Sequence, residues 1–170
     1  MPSDPGLELI PATVERVLPF RDSAAVVLSS EAKRFMIFVG RYEAEAIIRE
    51  LEGRTTERPL THDVVSYVLT GFDIKVQRVI VSSIVNNVFC ATLTLVQEGR
   101  EGQEVRLDIR ASDSLVIALK TGSDIWVTRR VLDAVEDVTE TLAQIDEQFT
   151  SESEDDDEDD DEGTGDSGLI

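Results

Sequence analysis

The chain has 170 residues, 41% of them hydrophobic, with 35 acidic against 16 basic residues, one histidine and a net charge of −19. That length supplies one sizeable core, since domains typically hold about 100–150 residues, and no run reaches the roughly 18 apolar residues that cross a bilayer. A single cysteine, Cys90, excludes an internal disulfide or a cysteine-cluster zinc site, and a single histidine, His62, excludes any mechanism that needs two imidazoles.

The opening residues Met1 to Glu15 lack a basic start followed by an apolar run, so a soluble, cytoplasmic protein with no membrane partner is expected. The charge is uneven. Residues 151–170 hold eleven of the acids and no Lys or Arg, leaving 24 acids against 16 basic residues, about −8, for residues 1–150. Such a block repels itself and buries no apolar area, which predicts a disordered acidic tail over 151–170. The expected organisation is a folded domain over 1–140, a helix end and linker over 141–150, and that tail.

Along the chain, Leu7 to Leu18 alternates imperfectly around Pro11, as an edge strand or a bulged strand does. Ala24 to Ser29 and Phe35 to Val39 read as a hairpin of buried strands across Ser30-Glu-Ala-Lys-Arg34. After Gly40, Ala44, Ile47, Ile48 and Leu51 repeat at helical spacing up to a stop at Gly53. A second helix starts near Thr61, carries Val64, Val65, Val68 and Leu69 as its apolar stripe, and stops at Gly71. Two long β-branched segments, Ile74 to Val85 and Val88 to Val96, flank Asn86-Asn87, a pair suited to a tight hairpin. Glu104 to Ile109 alternates as a further strand. A third helix runs from Asp113 to Lys120 with a stop at Gly122, Ile125 to Val127 is a short strand, and Thr128 caps one or two final helices. The pattern predicts an α+β fold: a compact single domain with a mixed or antiparallel sheet and three main helices.

Two segments carry the chemistry. Arg58-Pro-Leu-Thr-His-Asp63 and Arg110-Ala-Ser-Asp113 each bring an arginine and end on a hydroxyl-plus-carboxylate pair that opens a helix. Helix starts expose unpaired N–H groups and partial positive charge, so two converging starts can hold a phosphate and a cation together. The plain alternative is that Thr61, Ser112 and the two aspartates are ordinary caps. Mg²⁺ needs only one or two protein carboxylates beside water and phosphate, which makes Asp63, Asp108 and Asp113 candidate ligands for Mg²⁺ or Mn²⁺. Asp108 and Arg110, two apart on a strand, point the same way. His62 is the candidate base or hydrogen-bond partner. Glu45 is weighed against a solvated ion pair with Arg49, four residues on. There is no nucleophile elbow, Walker loop, dinucleotide fingerprint or aromatic platform on a basic strand.

The order of motifs, from Phe35 through Gly40, Glu43, Glu45, Ile47 and Ile48 to Gly53, then Arg58-Pro-Leu-Thr-His-Asp63, Val88-Phe-Cys-Ala-Thr-Leu93, Arg110-Ala-Ser-Asp113, and Ala118-Leu119 before Gly122, resembles the bifunctional nuclease domain family. The resemblance runs from about Leu7 to Val135. It implies a compact α+β domain, nuclease activity on DNA and RNA, and association into homo-oligomers. It carries over to Glu43, Glu45, Thr61, His62, Asp63, Arg110, Ser112 and Asp113. Ala111 stands where members have proline, and Ser114 where they have alanine; neither change removes a reactive group.

The leading expectation is therefore a metal-assisted nuclease with little sequence preference. Asp63, Asp113 and Asp108 would hold the ion, Arg58, Thr61, Arg110 and Ser112 would bind phosphate, and His62 would position water or the leaving group beside Asp63, Asp113 and Glu45. The acidic body and tail oppose polyanion binding, and the tail could mimic nucleic acid and damp activity. Two alternatives stay open: a non-catalytic oligomeric interaction module whose tail recruits basic proteins, and a sensor of a small ligand or nucleotide built on the same helix starts.

Overall fold

The computed structural model describes residues 8–100 and 102–155. It is α+β, with strands β1 (Leu9–Pro19), β2 (Ser23–Ser30), β3 (Arg34–Gly40), β4 (Ile74–Val85), β5 (Val88–Gln97), β6 (Glu104–Arg110) and β7 (Asp124–Thr128). The helices are α1 (Arg41–Leu51), α2 (Thr61–Gly71), α3 (Ala111–Thr121), α4 (Arg129–Ala134) and α5 (Thr139–Asp155), so five helices stand among the described residues, α4 and α5 where one or two were expected after Thr128. All seven strands join one mixed sheet in the order β3-β2-β1-β7-β4-β5-β6. Every neighbouring pair is antiparallel except β4 and β7, which run parallel.

Pro11 explains how β1 escapes the edge position open to it from sequence. It pairs with Trp126 of β7 but precedes the register with β2, which begins at Ala12↔Ser30, so its missing N–H leaves no gap in that ladder. The irregular alternation is a bulge between Val14 and Arg16. Between β4 and β5, Asn86 (φ 50°) and Asn87 (φ 62°) take the left-handed conformations that a two-residue hairpin demands. Gly122 (φ 64°) ends α3, with Ser123 N–H reaching back to the Ala118 carbonyl at 3.0 Å.

The core is one cluster in which Val26, Leu28, Phe35 and Ile37 of the N-terminal strands meet Val79, Val81 and Leu93 of the central ones, under Ile47 of α1 and Leu115 of α3. Phe35, Leu28, Ile47 and Leu115 are fully buried, each stabilising the fold by roughly 1.5–3 kcal/mol. α3 packs against α1, α2 and the sheet, whereas α2 sits at the periphery on α3 and β4. Only half of its expected stripe faces inward: Val65 and Leu69 pack on the core, while Val64 and Val68 are exposed.

The chain divides into a unit ending at Asp137 and a second beginning at Val138, whose described part is α5. Helix α5 continues through Asp155, into the stretch from 151 that its acidity predicts to be disordered. The rest of that expected tail, with the basic partner expected for it, lies outside the described residues. Among the described residues no helix is long and apolar enough to cross a membrane.

Candidate active site

Helices α1, α2 and α3 share one local grammar: an acid at the third helical position, Glu43, Asp63 and Asp113 respectively. Carboxylates there complement the helix dipole and the unpaired N–H groups of the first turn. The capping positions themselves belong to Gly40, Leu60 and Arg110, none of which caps through its side chain. Thr61 is the first residue of α2 and Ser112 the second of α3, so both lie in the first turns as expected, but neither holds the cap position. Asp63 does the capping of α2 instead, its Oδ2 accepting the Leu60 N–H at 2.6 Å. Gly40 leaves room for Glu43 to fold back over the start of α1, since a Cβ there would stand 2.6 Å from Glu43 Oε2.

The start of α3 gathers residues from all three helices. Arg110 donates from Nε to Asp113 Oδ2 at 2.8 Å and from Nη2 to Asp113 Oδ1 at 3.2 Å, a fork on one carboxylate. Its Nη1 donates to Glu43 Oε1 at 3.0 Å, tying α1 to α3. From α2, His62 Nε2 lies 3.2 Å from Asp113 Oδ1. Burial pushes the Asp113 carboxyl up, but the hydrogen bonds from Arg110 and His62 outweigh it and hold the group below the ordinary Asp range. An ionised carboxylate only accepts, so His62 donates to it from Nε2, and the tautomer that carries its one proton there presents the Nδ1 lone pair. The network is open: Arg110 is 62% exposed and, with Glu43 and Ser112, lines a 230 Å³ cleft walled by Ile37, Phe38 and Phe89.

One residue further along α2, the chemistry differs. Lys120, near the end of α3, bonds Asp63 Oδ1 at 2.5 Å and Glu50 Oε1 at 2.8 Å. The side chains of Lys120, Asp63 and Glu50 are only 17%, 14% and 13% exposed. Hydrogen bonds from Lys120 and from the Leu60 N–H hold the Asp63 carboxyl below its ordinary range. Burial pushes the Lys120 ammonium down, and its bonds to Asp63 and Glu50 more than offset this, so it titrates above its ordinary value. Asp113 and Lys120 are seven residues apart, two turns along one face of α3. Adjacent residues of α2, His62 and Asp63, thus clamp that helix at two levels.

The bifunctional nuclease domain model matches residues 26–140, a stretch containing every member of both networks. The chain belongs to this family. Two curated relatives, Uncharacterized protein MT1877 of Mycobacterium tuberculosis (strain CDC 1551 / Oshkosh) and Uncharacterized protein Rv1829 of Mycobacterium tuberculosis (strain ATCC 25618 / H37Rv), are each 31% identical over 96 residues, 56% of this chain and 55% of theirs. The chain spans about half the length of the curated relatives it matches.

Within this bifunctional nuclease domain, the residues singled out from sequence divide. His62, Arg110 and Asp113 come together, with Ser112 buried beside the cleft. Asp63 belongs to the lysine network. Glu45 turns to the exposed face of α1 and pairs with Arg41 at 3.2 Å, whereas Glu43, two residues earlier, reaches Arg110 at 3.0 Å. Arg58 and Thr61 are exposed in and after the segment leading to α2, where the Arg58 carbonyl accepts from Thr56 Oγ1 at 2.7 Å. Asp108 lies exposed on β6 opposite Thr92 and takes part in neither network. The ligand set expected for Mg²⁺ or Mn²⁺, Asp63, Asp108 and Asp113, does not fit one ion: Asp63 and Asp113 each have both oxygens engaged by other groups. Among the described residues no three His, Cys, Asp or Glu side chains are grouped to hold a metal. Lys120 and Glu50 escaped the sequence reading; the available signal was the seven-residue spacing from Asp113 that puts Lys120 on the same face of α3.

Proposed function

We propose that this chain is a nuclease hydrolysing phosphodiester bonds of DNA and RNA with little sequence preference, and that the reaction occurs at Arg110, Asp113, His62 and Glu43. The observation that carries the reading is the pairing of His62 Nε2 with Asp113 beside an exposed arginine, within a chain of the bifunctional nuclease domain family. Asp113 orients the imidazole much as the third member of a catalytic triad does, leaving Nδ1 to take a proton from the attacking water or ribose hydroxyl. Arg110 keeps N–H donors on Nη1 and Nη2 for the phosphate, whose charge it neutralises as the phosphorus centre gains a fifth oxygen. Contacts to phosphate read no bases, which fits sequence indifference. In an acidic protein such a local cation makes binding strongly dependent on salt. A lone cysteine fits the reducing cytoplasm, where we place the enzyme.

The test incubates purified full chain with supercoiled plasmid and with RNA, in chelator and in Mg²⁺ or Mn²⁺. Cleavage by the wild type that is lost in His62→Ala and Asp113→Asn, with folding intact by circular dichroism, supports the reading. Absence of cleavage under every condition, or equal cleavage by those variants, refutes it and favours the interaction module. Cleavage that survives the chelator assigns the neutralising charge to Arg110; cleavage that requires the ion calls for a ligand set other than Asp63, Asp108 and Asp113.

A further inference from the structure

The sequence marks Phe35 to Val39 as a buried run, and Phe35, Ile37 and Val39 do enter the core. Strand alternation turns Phe38 to the opposite face of β3, where it is 68% exposed. Phe20, just after β1, is 55% exposed, and its ring lies beside that of Phe38 with centroids 6.3 Å apart and planes tilted by 33°. A single exposed apolar residue needs no explanation; two large rings held together at the edge of a cleft ask for one.

The cleft supplies it. Phe38 lines the same 230 Å³ space as Arg110, Glu43 and Ser112, and Val88 and Phe89 bring further apolar surface to it from the β4–β5 hairpin. Val88 is itself 56% exposed. Among the residues lining this cleft the charges are Arg110 and the Glu43 that it binds, so no unpaired carboxylate there opposes an anion. A guanidinium with donors to spare and a free aromatic face in one cleft match the two parts of a nucleotide, its anionic phosphate and its flat base.

Strandedness follows from the same chemistry. Within a duplex the faces of each base are already stacked on its neighbours, so only an unpaired or extruded base has a face to offer. The cleft is smaller than the roughly 300–1,000 Å³ sites of drug-sized ligands, a size for one base. Every base carries a π-face, so stacking separates single strands from duplexes without reading sequence.

We propose that Phe38, buttressed by Phe20, is a base-stacking platform that selects single-stranded over duplex nucleic acid, taking one unpaired base beside the phosphate held at Arg110. The inference rests on the catalytic reading for the place of that phosphate and adds the class of strand.

The test measures binding by fluorescence anisotropy in chelator, with the full chain carrying His62→Ala so that no probe is cut. The probes are a labelled oligothymidine strand, an abasic strand of equal length that keeps the phosphates and lacks the bases, and a duplex of the first strand with oligoadenosine. The thymidine strand binds roughly tenfold more tightly than the abasic one and more tightly than the duplex. Phe38→Ala lowers its affinity to that of the abasic strand, whose own affinity stays unchanged, and Phe38→Trp restores the gap. Tyr67→Ala, which removes a comparably exposed ring lining a different cleft, leaves the gap intact. Circular dichroism separates loss of binding from loss of fold. Equal affinity for the thymidine and abasic strands, no binding to any strand, or a duplex bound as tightly as the single strand overturns the proposal. So does a gap that survives Phe38→Ala; if the sedimenting mass falls in that variant, the rings belong to an interface between copies. Cleavage of plasmid and RNA by the wild type judges the catalytic reading separately: a stacking gap in a chain that cuts nothing upholds the platform and removes the enzyme, and cleavage without the gap does the reverse.

Discussion

The two ion networks on α3 use the same residue classes and share one peptide bond of α2, yet they are built to different ends. At the Asp113 end the cation is 62% exposed, holds two carboxylates and still presents donors to a cleft. At the Lys120 end the three members are between 13% and 17% exposed, and they satisfy one another. A charged pair that stays open can exchange partners with an incoming phosphate. One in which each member already holds two partners, as Asp63, Lys120 and Glu50 do, is a structural tie even beside a cleft of its own. Sequence motif alone does not separate the two, because His62 and Asp63 are neighbours.

The contrast can be broken in several ways. The largest effect is expected at the open end: His62→Ala and Asp113→Asn should each lower the cleavage rate by on the order of 10²–10⁴. Thermal melting should change little for His62→Ala, and a melting loss as large as the Lys120-end variants would place His62 in the scaffold. At the Lys120 end, Lys120→Met leaves Asp63 and Glu50 with only Arg49, 3.8 Å from Glu50, to offset their charges and should cost about 2–4 kcal/mol of stability by urea titration. Cleavage per folded molecule should survive.

A pH series sharpens the same comparison. The folded Asp63 carboxyl titrates below its unfolded value of about 3.9, so its stabilising contribution is complete above that value and is lost as pH falls through the lower folded one. The urea midpoint of the wild type should therefore decline in acid below about pH 4. Asp63→Asn should be less stable at neutral pH, with a shallower acid decline; parallel curves for the two proteins would remove Asp63 from the tie. The smallest effect is expected for Glu45→Gln. Its exposed pair with Arg41 contributes no more than about 0.5 kcal/mol, and neither cleavage nor melting should move measurably.

These results turn on distinctions that periodicity cannot draw. Turn and stop chemistry was legible, because it is local: Asn86-Asn87 and Gly122 adopt the backbone that their composition demands. Helix starts were legible to within two residues, but the capping role was not. Leu60 and Arg110 hold the cap positions, and the acids at the third positions compensate from within the turn. Glu43 and Glu45 look equivalent on paper, yet two residues along a helix is a rotation of roughly 200°, which puts one at the start of α3 and the other in solvent. The peripheral place of α2 was also hidden. Val64 and Val68 have the composition of an inner face, and only the position of α3 and β4 decides that Val65 and Leu69 take it. Alternation assigns each strand its faces and says nothing of its neighbours, so the joining of all strands into one sheet could not be read either.

The placement of β7 has a consequence for how the molecule is made. This five-residue strand is the last of the seven to leave a ribosome, and in the described sheet it alone connects β3-β2-β1 to β4-β5-β6. Both three-stranded halves are synthesised by Arg110, but each has a bare inner border until Thr128 emerges and the late arrival wedges between Ala12 and Val79 through Ile125. Contacts this distant in sequence form slowly. The nascent chain must therefore carry Val79 and Val81, fully buried at the end, through a wait in which chaperones or an unwanted neighbour can reach them.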